Sequence, residues 1–325
     1  MALIKYLPVE PKVNFIGQRK IFAVLSSVLV LGALVMFLLQ GLNFGVDFRG
    51  GILIEIKTDG PADLGELRSR LGGLGLGEVT LQEFGASDDV LINVQRQDGD
   101  EAEQIKAINV VKDALGETAA EYRRTEFVGP KVGDELKQAG LLATALSLLG
   151  IGFYIWFRFE WQFGLAALIA LVHDVIATIG FYAITQIEFN LATLAAVLTI
   201  AGYSINDTVV VFDRVRETLR KFKKAPLSEV LNRAINSTLT RTILTSVTTL
   251  LALIALFVFG GQVIRGFTAG LIWGVLIGTY SSIALAVPML LYMKVRGANL
   301  AVADDSDDGA KAGGEKAGAG APSAS

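Results

Sequence analysis

The sequence contains no cysteine and a single histidine, His173, among its 325 residues. Without cysteine the chain forms no disulfide, holds no metal through thiolates and performs no thiol catalysis. One histidine also excludes a metal centre built from several histidines. A GxxxxGK(S/T) nucleotide-binding loop is absent as well, which argues against ATP hydrolysis. We therefore expect no enzyme activity, no metal, no cofactor and no nucleic-acid partner.

Charged residues are also scarce, at 19% of the chain, whereas hydrophobic residues make up 52% and the mean hydropathy is +0.51. This composition is typical of a membrane protein. The first apolar run, residues 21–40, is too long for a signal-peptide core and no small-residue cleavage site follows it, so we expect a retained span. Five further runs are long enough to cross a hydrocarbon layer of about 30 Å. They lie at about 139–157, 161–185, 189–212, 239–259 and 266–293. We predict a mainly α-helical protein with six transmembrane helices.

Lysine and arginine are concentrated on one predicted side of these spans. Four basic residues precede the first span: Lys5, Lys12, Arg19 and Lys20. The loop at 213–237 carries seven basic residues against three acidic ones, and Lys294 and Arg296 flank the last span. The positive-inside rule therefore places residues 1–20, this loop and the tail at 298–325 in the cytoplasm. The tail lacks apolar periodicity, and we predict that it is disordered.

An amphipathic stripe follows Pro226 inside the basic loop. It consists of Leu227, Val230, Leu231, Ala234 and Ile235. We predict a short helix that lies flat on the inner membrane surface. The alternative is a connector that packs on the bundle.

Residues 41–138 separate the first two spans and form the predicted periplasmic domain. They contain 19 acidic and 11 basic residues, a net charge of −8. Strand-like and helix-like stretches alternate at 51–57, 61–71, 78–84, 90–95, 100–115 and 120–128. The order strand, helix, strand, strand, helix, strand is that of an α+β ferredoxin-like domain. The glycine-bearing tethers at 41–51 and 128–139 are predicted to act as hinges.

Asp207 lies inside the predicted fourth span, where a charged side chain costs about 3 kcal/mol. Spanning a bilayer does not require such a residue, so we interpret Asp207 as a protonatable relay group. Tyr203 and Asn206 lie within about one turn of it and share its face of the helix. The alternative is a carboxylate at a helix end that pairs with Arg214.

Arg241 stands near the start of the next apolar run, at a depth comparable to that of Asp207 if the two helices are antiparallel. Threonines share its helix face: Thr238, Thr242, Thr245, Thr248 and Thr249. Because an acid and a base on neighbouring helices are what a transmembrane proton path needs, we predict that Asp207 and Arg241 form a proton relay. The alternative is that Arg241 anchors its helix at the level of the lipid phosphates.

Two further features occur within the spans. Asp174 and the adjacent His173 in the third span are secondary relay candidates, and the alternative is a structural polar pair. Tyr203 and Asn206 are secondary relay candidates as well. Consecutive helical residues point about 100° apart, so the two side chains are not expected to share a partner. In the sixth span, small residues recur every four positions at Gly270, Gly274, Gly278 and Ser282, which predicts close helix packing.

Several motifs support a family resemblance over about residues 15–297. They are GVDFRGG (45–51), FVGPKVGDEL (127–136), HD (173–174), GYSINDTVVVFDRVRE (202–217) and RTILTS (241–246). Together they resemble the SecD/SecF family of protein-export membrane proteins, within the RND superfamily. Its structural motif matches Gly45, Asp47, Phe48, Gly50, Gly51, Gly129, Pro130 and Gly133. Phe212 departs from the family pattern, which has a smaller residue there.

The resemblance implies a function that the residues alone do not give. It implies half of an RND-type bundle, with SecD supplying the other six spans as a heterodimer in the bacterial inner membrane. It further implies that the proton-motive force drives export of a translocating polypeptide after SecA has pushed it through SecYEG, with YajC as an additional partner. The positions tied to proton passage match Asp207 and Arg241.

Two other functions compete with this one. The first is an RND-type, proton-coupled transporter of small molecules or lipids, whose outer loops are several hundred residues long, whereas the outer domain here has about 90. The second is a passive scaffold, which has no need of a carboxylate inside the membrane.

Overall fold

A computed structural model of the chain describes residues 11–99, 101–261, 264–293 and 295. The predicted tail at 298–325 lies outside this part. The first span is α1 (Arg19–Gln40), and the short helices that follow it are α2 (Val46–Arg49), α3 (Leu64–Gly72) and α4 (Glu101–Leu115). The strands are β1 (Gly51–Lys57), β2 (Val79–Phe84), β3 (Ala86–Val94) and β4 (Glu121–Val128). The remaining helices are α5 (Pro130–Arg158), α6 (Trp161–Thr185), α7 (Leu191–Lys221), α8 (Leu227–Phe259), α9 (Arg265–Ser281) and α10 (Val287–Tyr292).

Six helical stretches in the described chain are long and apolar enough to cross a membrane, which confirms the predicted number. They are Arg19–Gln40, Val132–Arg158, Trp161–Thr185, Leu191–Lys221, Leu227–Phe259 and Arg265–Tyr292. The last of them runs through α9, a π-helical segment at Ser282–Ala286, and α10. About two thirds of the apolar window of α6 and of the last stretch is buried, against 11% for α1, α5 and α8. The centre of the bundle is therefore formed by α6 and α9.

Phe212 is accommodated in the core of this bundle. Its side chain is fully buried, and its ring packs edge-on against Phe163 at 5.2 Å between centroids and against Phe159 at 6.2 Å. The larger residue thus fills an aromatic cluster that joins α6 and α7.

The outer domain is a four-stranded sheet in the order β2-β3-β1-β4, and all neighbouring strands are antiparallel. The sheet combines two strand–helix–strand units, β1-α3-β2 and β3-α4-β4. Strand β3 lies between the two strands of the first unit, and β1 lies between the two strands of the second. This arrangement is consistent with the predicted ferredoxin-like plan. Inward residues of β1 and β3 pack on α3 and α4, as Ile54, Ile92, Leu71 and Val111 do. On the opposite face, Leu53 and Leu91 contact Val46 of α2.

The amphipathic stripe after Pro226 belongs to α8. Since one continuous helix runs from Leu227 to Phe259, the stripe does not form a separate helix flat on the membrane, and that prediction is wrong. Leu231 and Ile235 are fully buried against α7, as the alternative expects. The N-terminal segment packs on the same turn of α8, where the Val13 N–H donates to Asn236 at 2.9 Å.

The second tether is helical rather than a loop. α5 begins at Pro130, directly after Gly129, and so includes residues assigned to the outer domain from the sequence. A Cβ atom at Gly133 would stand 3.2 Å from the backbone nitrogen of Gly50 and 3.3 Å from the carbonyl of Phe48. The first turn of α5 therefore packs directly on the backbone of the other tether.

Glycines of α9 allow that helix to approach α6 and α7. A Cβ atom would stand 1.9 Å from the Tyr182 hydroxyl at Gly270 and 2.2 Å from Ile200 at Gly274. At Gly278 it would stand 3.1 Å from the Cβ atom of Ser204. Any larger side chain would push α9 away from its neighbours.

Gly274→Ala is therefore expected to lower the unfolding temperature of the detergent-purified protein, because overpacking in a tight core costs about 1–3 kcal/mol. Gly150→Ala in α5 is the matched control, since a Cβ atom there meets nothing within 4 Å. Equal unfolding temperatures for the two variants would contradict this account of α9.

Candidate functional site

Asp207 of α7 is held by hydroxyl groups from two other helices. Thr242 of α8 donates to its Oδ1 at 2.7 Å, and the Ser282 hydroxyl donates to its Oδ2. Thr242 and Ser282 are both buried, whereas Asp207 is half-buried. Both carboxyl oxygens thus have a hydrogen-bond donor, and the carboxyl group links α7, α8 and the end of α9.

Asp174 of α6 is held in the same way and is completely buried. Its Oδ2 accepts hydrogen bonds from Ser281 at 2.7 Å and from Ser204 of α7. Its Oδ1 lies 2.9 Å from Nδ1 of His173. A second carboxyl group therefore joins α6, α7 and α9.

His173 and Asp174 are hydrogen-bonded to each other, as the alternative of a structural polar pair expects. Although consecutive side chains leave a helix about 100° apart, the imidazole ring turns back and meets the neighbouring carboxyl group directly. Nε2 of His173 is buried and has no hydrogen-bond partner among the described residues. The ring lies 6.2 Å from that of Tyr280.

Ser281 and Ser282 contact the two carboxyl groups, and the sequence analysis did not foresee these contacts. Both serines stand at the junction of α9 with the π-helical segment, and each contacts one of the two carboxyl groups. The sequence shows a pair of adjacent hydroxyls in an otherwise apolar run, and it places Ser282 only as the last member of the row of small residues. Such a pair is easily explained as local bonding to the preceding turn, so it points to no partner by itself.

Arg241 does not contact Asp207. In the described part of the chain the carboxyl group has no ion pair with it; the hydroxyl of the next residue, Thr242, occupies that place. Arg241 is exposed on the surface of the bundle, as is Asn206, while Tyr203 is half-buried. Arg214, the alternative partner, instead bonds Ser237 at 2.9 Å and Glu217 at 2.6 Å.

The first tether is attached to the outer end of the helix that carries Asp207. The backbone of Gly45 donates to the carbonyl of Phe189 at 3.0 Å, and the N–H of Leu191, the first residue of α7, donates to Asp47 at 2.9 Å. Phe48 is buried and stacks on Phe189 with 6.0 Å between ring centroids. A carboxylate is favourable at a helix N-terminus, where backbone N–H groups lack partners. The tether is therefore docked and does not form a free linker.

Glu188 lies between the outer domain and the bundle and lines two cavities of about 650 and 530 Å³. A Cβ atom at Gly45 would stand 2.3 Å from its carboxyl group, so a larger residue there would displace the Glu188 side chain. Burial raises the pKa of Glu188 above its ordinary value, Asp47 raises it further, Arg124 opposes the shift, and Glu126 adds to it. Glu188 is thus a titratable group placed at the domain junction.

Comparison with known proteins finds family matches over two regions of the chain, the part that includes α5 to α10 and the part that includes the first tether. The profile described as "Protein export membrane protein SecD/SecF, C-terminal" matches residues 108–296, and the "SecD/SecF GG Motif" profile matches residues 35–62. The protein translocase subunits SecF of Rickettsia rickettsii and Rickettsia bellii are 46% and 47% identical over 88% of this chain and 94–95% of their own. This chain belongs to the SecD/SecF family.

Solved structures of the family agree with this assignment. The crystal structure of SecDF from Thermus thermophilus, a translocon-associated membrane protein, superposes with a TM-score of 0.79 at 34% identity. The match covers 89% of this chain but only 40% of that one. A SecDF structure in a super-membrane-facing form gives a TM-score of 0.66 at 32% identity. The chain thus spans about two fifths of these longer SecDF proteins.

Backbone conformation explains why the two positions at the end of the family's GG motif are glycine in this chain. Gly50 and Gly51 have φ values of +72° and +132°, which side-chain-bearing residues rarely adopt. A Cβ atom at Gly51 would also stand 2.8 Å from the carbonyl of Val94. The pair lets the chain pass from α2 into the central strand β1.

Docking of the outer domain is expected to depend on pH through Glu188. Because burial raises its pKa, protonation favours the docked state, and this contribution is present below the ordinary carboxyl pKa and lost as the pH rises through the raised value. Spin labels on Asp98→Cys and Thr185→Cys should therefore report a distance distribution that broadens with rising pH. Glu188→Gln, which is always neutral, should remove this dependence.

Glu78→Gln provides the matched control, because Glu78 is an exposed acid that lines the larger of the two cavities. It should leave the pH response unchanged. A wild-type distribution that does not change with pH would show that Glu188 plays no part in docking.

Proposed function

We propose that this protein is a subunit of the Sec protein translocase and couples the proton-motive force to the export of secreted polypeptides. The observation that carries the proposal is the hydroxyl-held carboxyl group of Asp207 inside a six-span bundle whose relatives are SecF subunits. A carboxyl group inside a membrane span is energetically expensive, and such residues mark functional sites by default. Proton uptake and release at Asp207 is the function that this group supports best.

The hydrogen-bond partners of Asp207 suit a group that takes up and releases a proton. A hydroxyl both donates and accepts, so Thr242 and Ser282 can stabilise the carboxylate as donors, and either can accept a hydrogen bond from the carboxylic acid. An arginine at the same place would only donate and would hold the carboxylate charged. Because hydroxyl groups rather than Arg241 bond the carboxyl group, no salt bridge among the described residues holds Asp207 in its charged form.

The exposed polar face of α7 and α8 supports SecD as the partner. Arg241 and Asn206 are exposed on the bundle surface within membrane-spanning helices, and lipid does not satisfy such groups. A second bundle that covers this face would bury both residues. SecD is the proposed second half, because the SecDF chains are about two and a half times as long as the part matched here. SecYEG, YajC and the translocating polypeptide are proposed as further partners.

Motion at Asp207 has a direct route to the outer domain. α7 carries Asp207, and its first residue is hydrogen-bonded to Asp47 of the tether that enters β1. An elementary charge that crosses the membrane potential supplies about 2.3 kcal/mol per 100 mV. This energy is enough to shift a two-state packing equilibrium by about fifty-fold. We infer that protonation changes the packing of α7 and thereby displaces the outer domain.

The alternative function, RND-type transport of small molecules or lipids, has less support. Its substrates would need an enclosed duct through the outer domain, whereas the sheet here packs α3 and α4 on one face and α2 on the other. The SecF relatives also match over nearly the full length of this chain.

We further propose that the protein lies in the inner membrane with both termini in the cytoplasm and the sheet outside. Cysteine labelling tests this orientation without background because the chain has no thiol. A cysteine at Asp98, which is exposed in the outer domain, should react with a membrane-impermeant maleimide in spheroplasts. A cysteine at the exposed Lys224 between α7 and α8 should react only after lysis, and the reverse pattern would invert the topology.

Asp207→Asn is expected to abolish the proton-driven part of export, because asparagine keeps the shape but cannot bind and release a proton. Arg241→Met should act likewise, and Asp174→Asn more mildly. SecD binding and SecA-driven ATP hydrolysis should remain. The measurement is precursor translocation into inverted vesicles with and without an uncoupler.

Asp213→Asn on the same helix is the matched control. Asp213 is an exposed acid beyond the apolar part of α7, about 4 Å from Arg158 and Arg216. Its variant should retain uncoupler-sensitive export. If Asp207→Asn retains it as well, Asp207 is not the relay and the scaffold function gains support.

A further inference from the structure

Two adjacent serines each contact one of the two hydroxyl-held carboxyl groups of the bundle. Ser281 donates to Asp174 of α6, and Ser282 donates to Asp207 of α7. The two carboxyl groups lie on different helices, whereas the two serines are consecutive residues at the end of α9. Both serines are completely buried. Because consecutive helical residues point about 100° apart, one short piece of backbone can reach two neighbouring helices at once.

Each serine also has a second acceptor within reach on its own helix. The hydroxyl of Ser281 lies 3.2 Å from the carbonyl of Gly278, and that of Ser282 lies 3.1 Å from the carbonyl of Thr279. A serine hydroxyl donates one hydrogen bond at a time but accepts others. The hydroxyl hydrogen therefore has a choice between a carboxyl oxygen and a backbone carbonyl.

The backbone changes its helical form at this pair. α9 ends at Ser281, and the π-helical segment begins at Ser282 and continues to Ala286, ahead of Pro288 in α10. Such segments are rare and occur often at functional sites. The wider turn here begins at the residue that contacts Asp207.

We propose that Ser281 and Ser282 are positioning residues that join Asp174 and Asp207 into one proton-responsive unit. This inference rests on the proposed proton-coupled function. When a proton from water reaches the carboxylate of Asp207, the new carboxylic O–H donates to the oxygen of Ser282, and the Ser282 hydrogen turns to the carbonyl of Thr279. When the proton leaves, both hydrogen bonds revert. The backbone that Ser282 shares with Ser281 carries this rearrangement to Ser281, and the hydroxyl of Ser281 carries it on to Asp174.

The test combines export with infrared difference spectroscopy on the protein reconstituted together with its SecD partner. The carbonyl bands of the two carboxylic acids are assigned by their loss in Asp207→Asn and Asp174→Asn. Ser282→Ala should reduce uncoupler-sensitive export about tenfold, as expected for loss of a hydrogen bond to a charged group. It should also shift the Asp207 band to higher frequency. Ser281→Ala should shift both bands.

Ser246→Ala is the matched control for lost packing. Ser246 of α8 is a buried serine whose hydroxyl lies 2.6 Å from that of Thr279 and contacts neither carboxyl group. It should move neither band and should retain proton-driven export. If Ser282→Ala behaves like Ser246→Ala, or Ser281→Ala shifts the Asp174 band alone, the two carboxyl groups are not joined by the serines.

Failure of this inference is distinguishable from failure of the proposed function. An inactive Asp207→Asn protein together with an unaffected Ser282→Ala protein rejects the serine pair and leaves Asp207 as the relay. An Asp207→Asn protein with full uncoupler-sensitive export rejects both.

Discussion

Two hydroxyl groups hold the carboxyl group of Asp207 inside the helical bundle, and these contacts depend on close packing of three helices. Asp207 reaches Ser282 only because α9 lies close to α7, and that approach requires Gly274 and Gly278 where any side chain would meet Ile200 or Ser204. The glycines of α9 and the carboxyl group of α7 are thus parts of one arrangement. A helix pair that is packed this closely has few intermediate positions, which favours discrete states over gradual displacement.

The same arrangement extends to the outer domain through hydrogen bonds to backbone rather than through a flexible linker. Asp47 accepts from the first N–H of α7, and the first turn of α5 packs on the backbone of Phe48 and Gly50. The outer sheet is therefore connected to the bundle on two sides. A shift of α7 along its axis would act on Asp47 directly. The hinges predicted from the sequence at the two tethers would instead let the outer domain move independently of the bundle.

The sequence predicted the six spans and the order of the outer domain because both depend on local patterns, such as the uncharged run at 21–40 and the alternation in β1. It did not predict that α7 and α8 extend beyond the membrane, because charges mark the edge of the lipid and not the end of a helix. The contacts of Asp207 were also beyond its reach. Spacing gave a neighbouring helix with Arg241 and Thr242 on it, and only the packing shows that Thr242 points inward.

Thr242 points toward Asp207 and the adjacent Arg241 points away from it, and this difference determines how Asp207 and Arg241 can act together. Arg241 is exposed and forms no ion pair with the carboxyl group in the described part of the chain, so its charge acts on Asp207 only from a distance. In the proposed complex, the face that carries Arg241 is covered by the partner bundle, where a charge is poorly solvated and sensitive to any opposite charge nearby. Proton uptake by Asp207 occurs on the side of α8 that carries Thr242, and pairing of Arg241 with a charge of the partner would occur on the opposite side. A rotation of α8 would then link the two events.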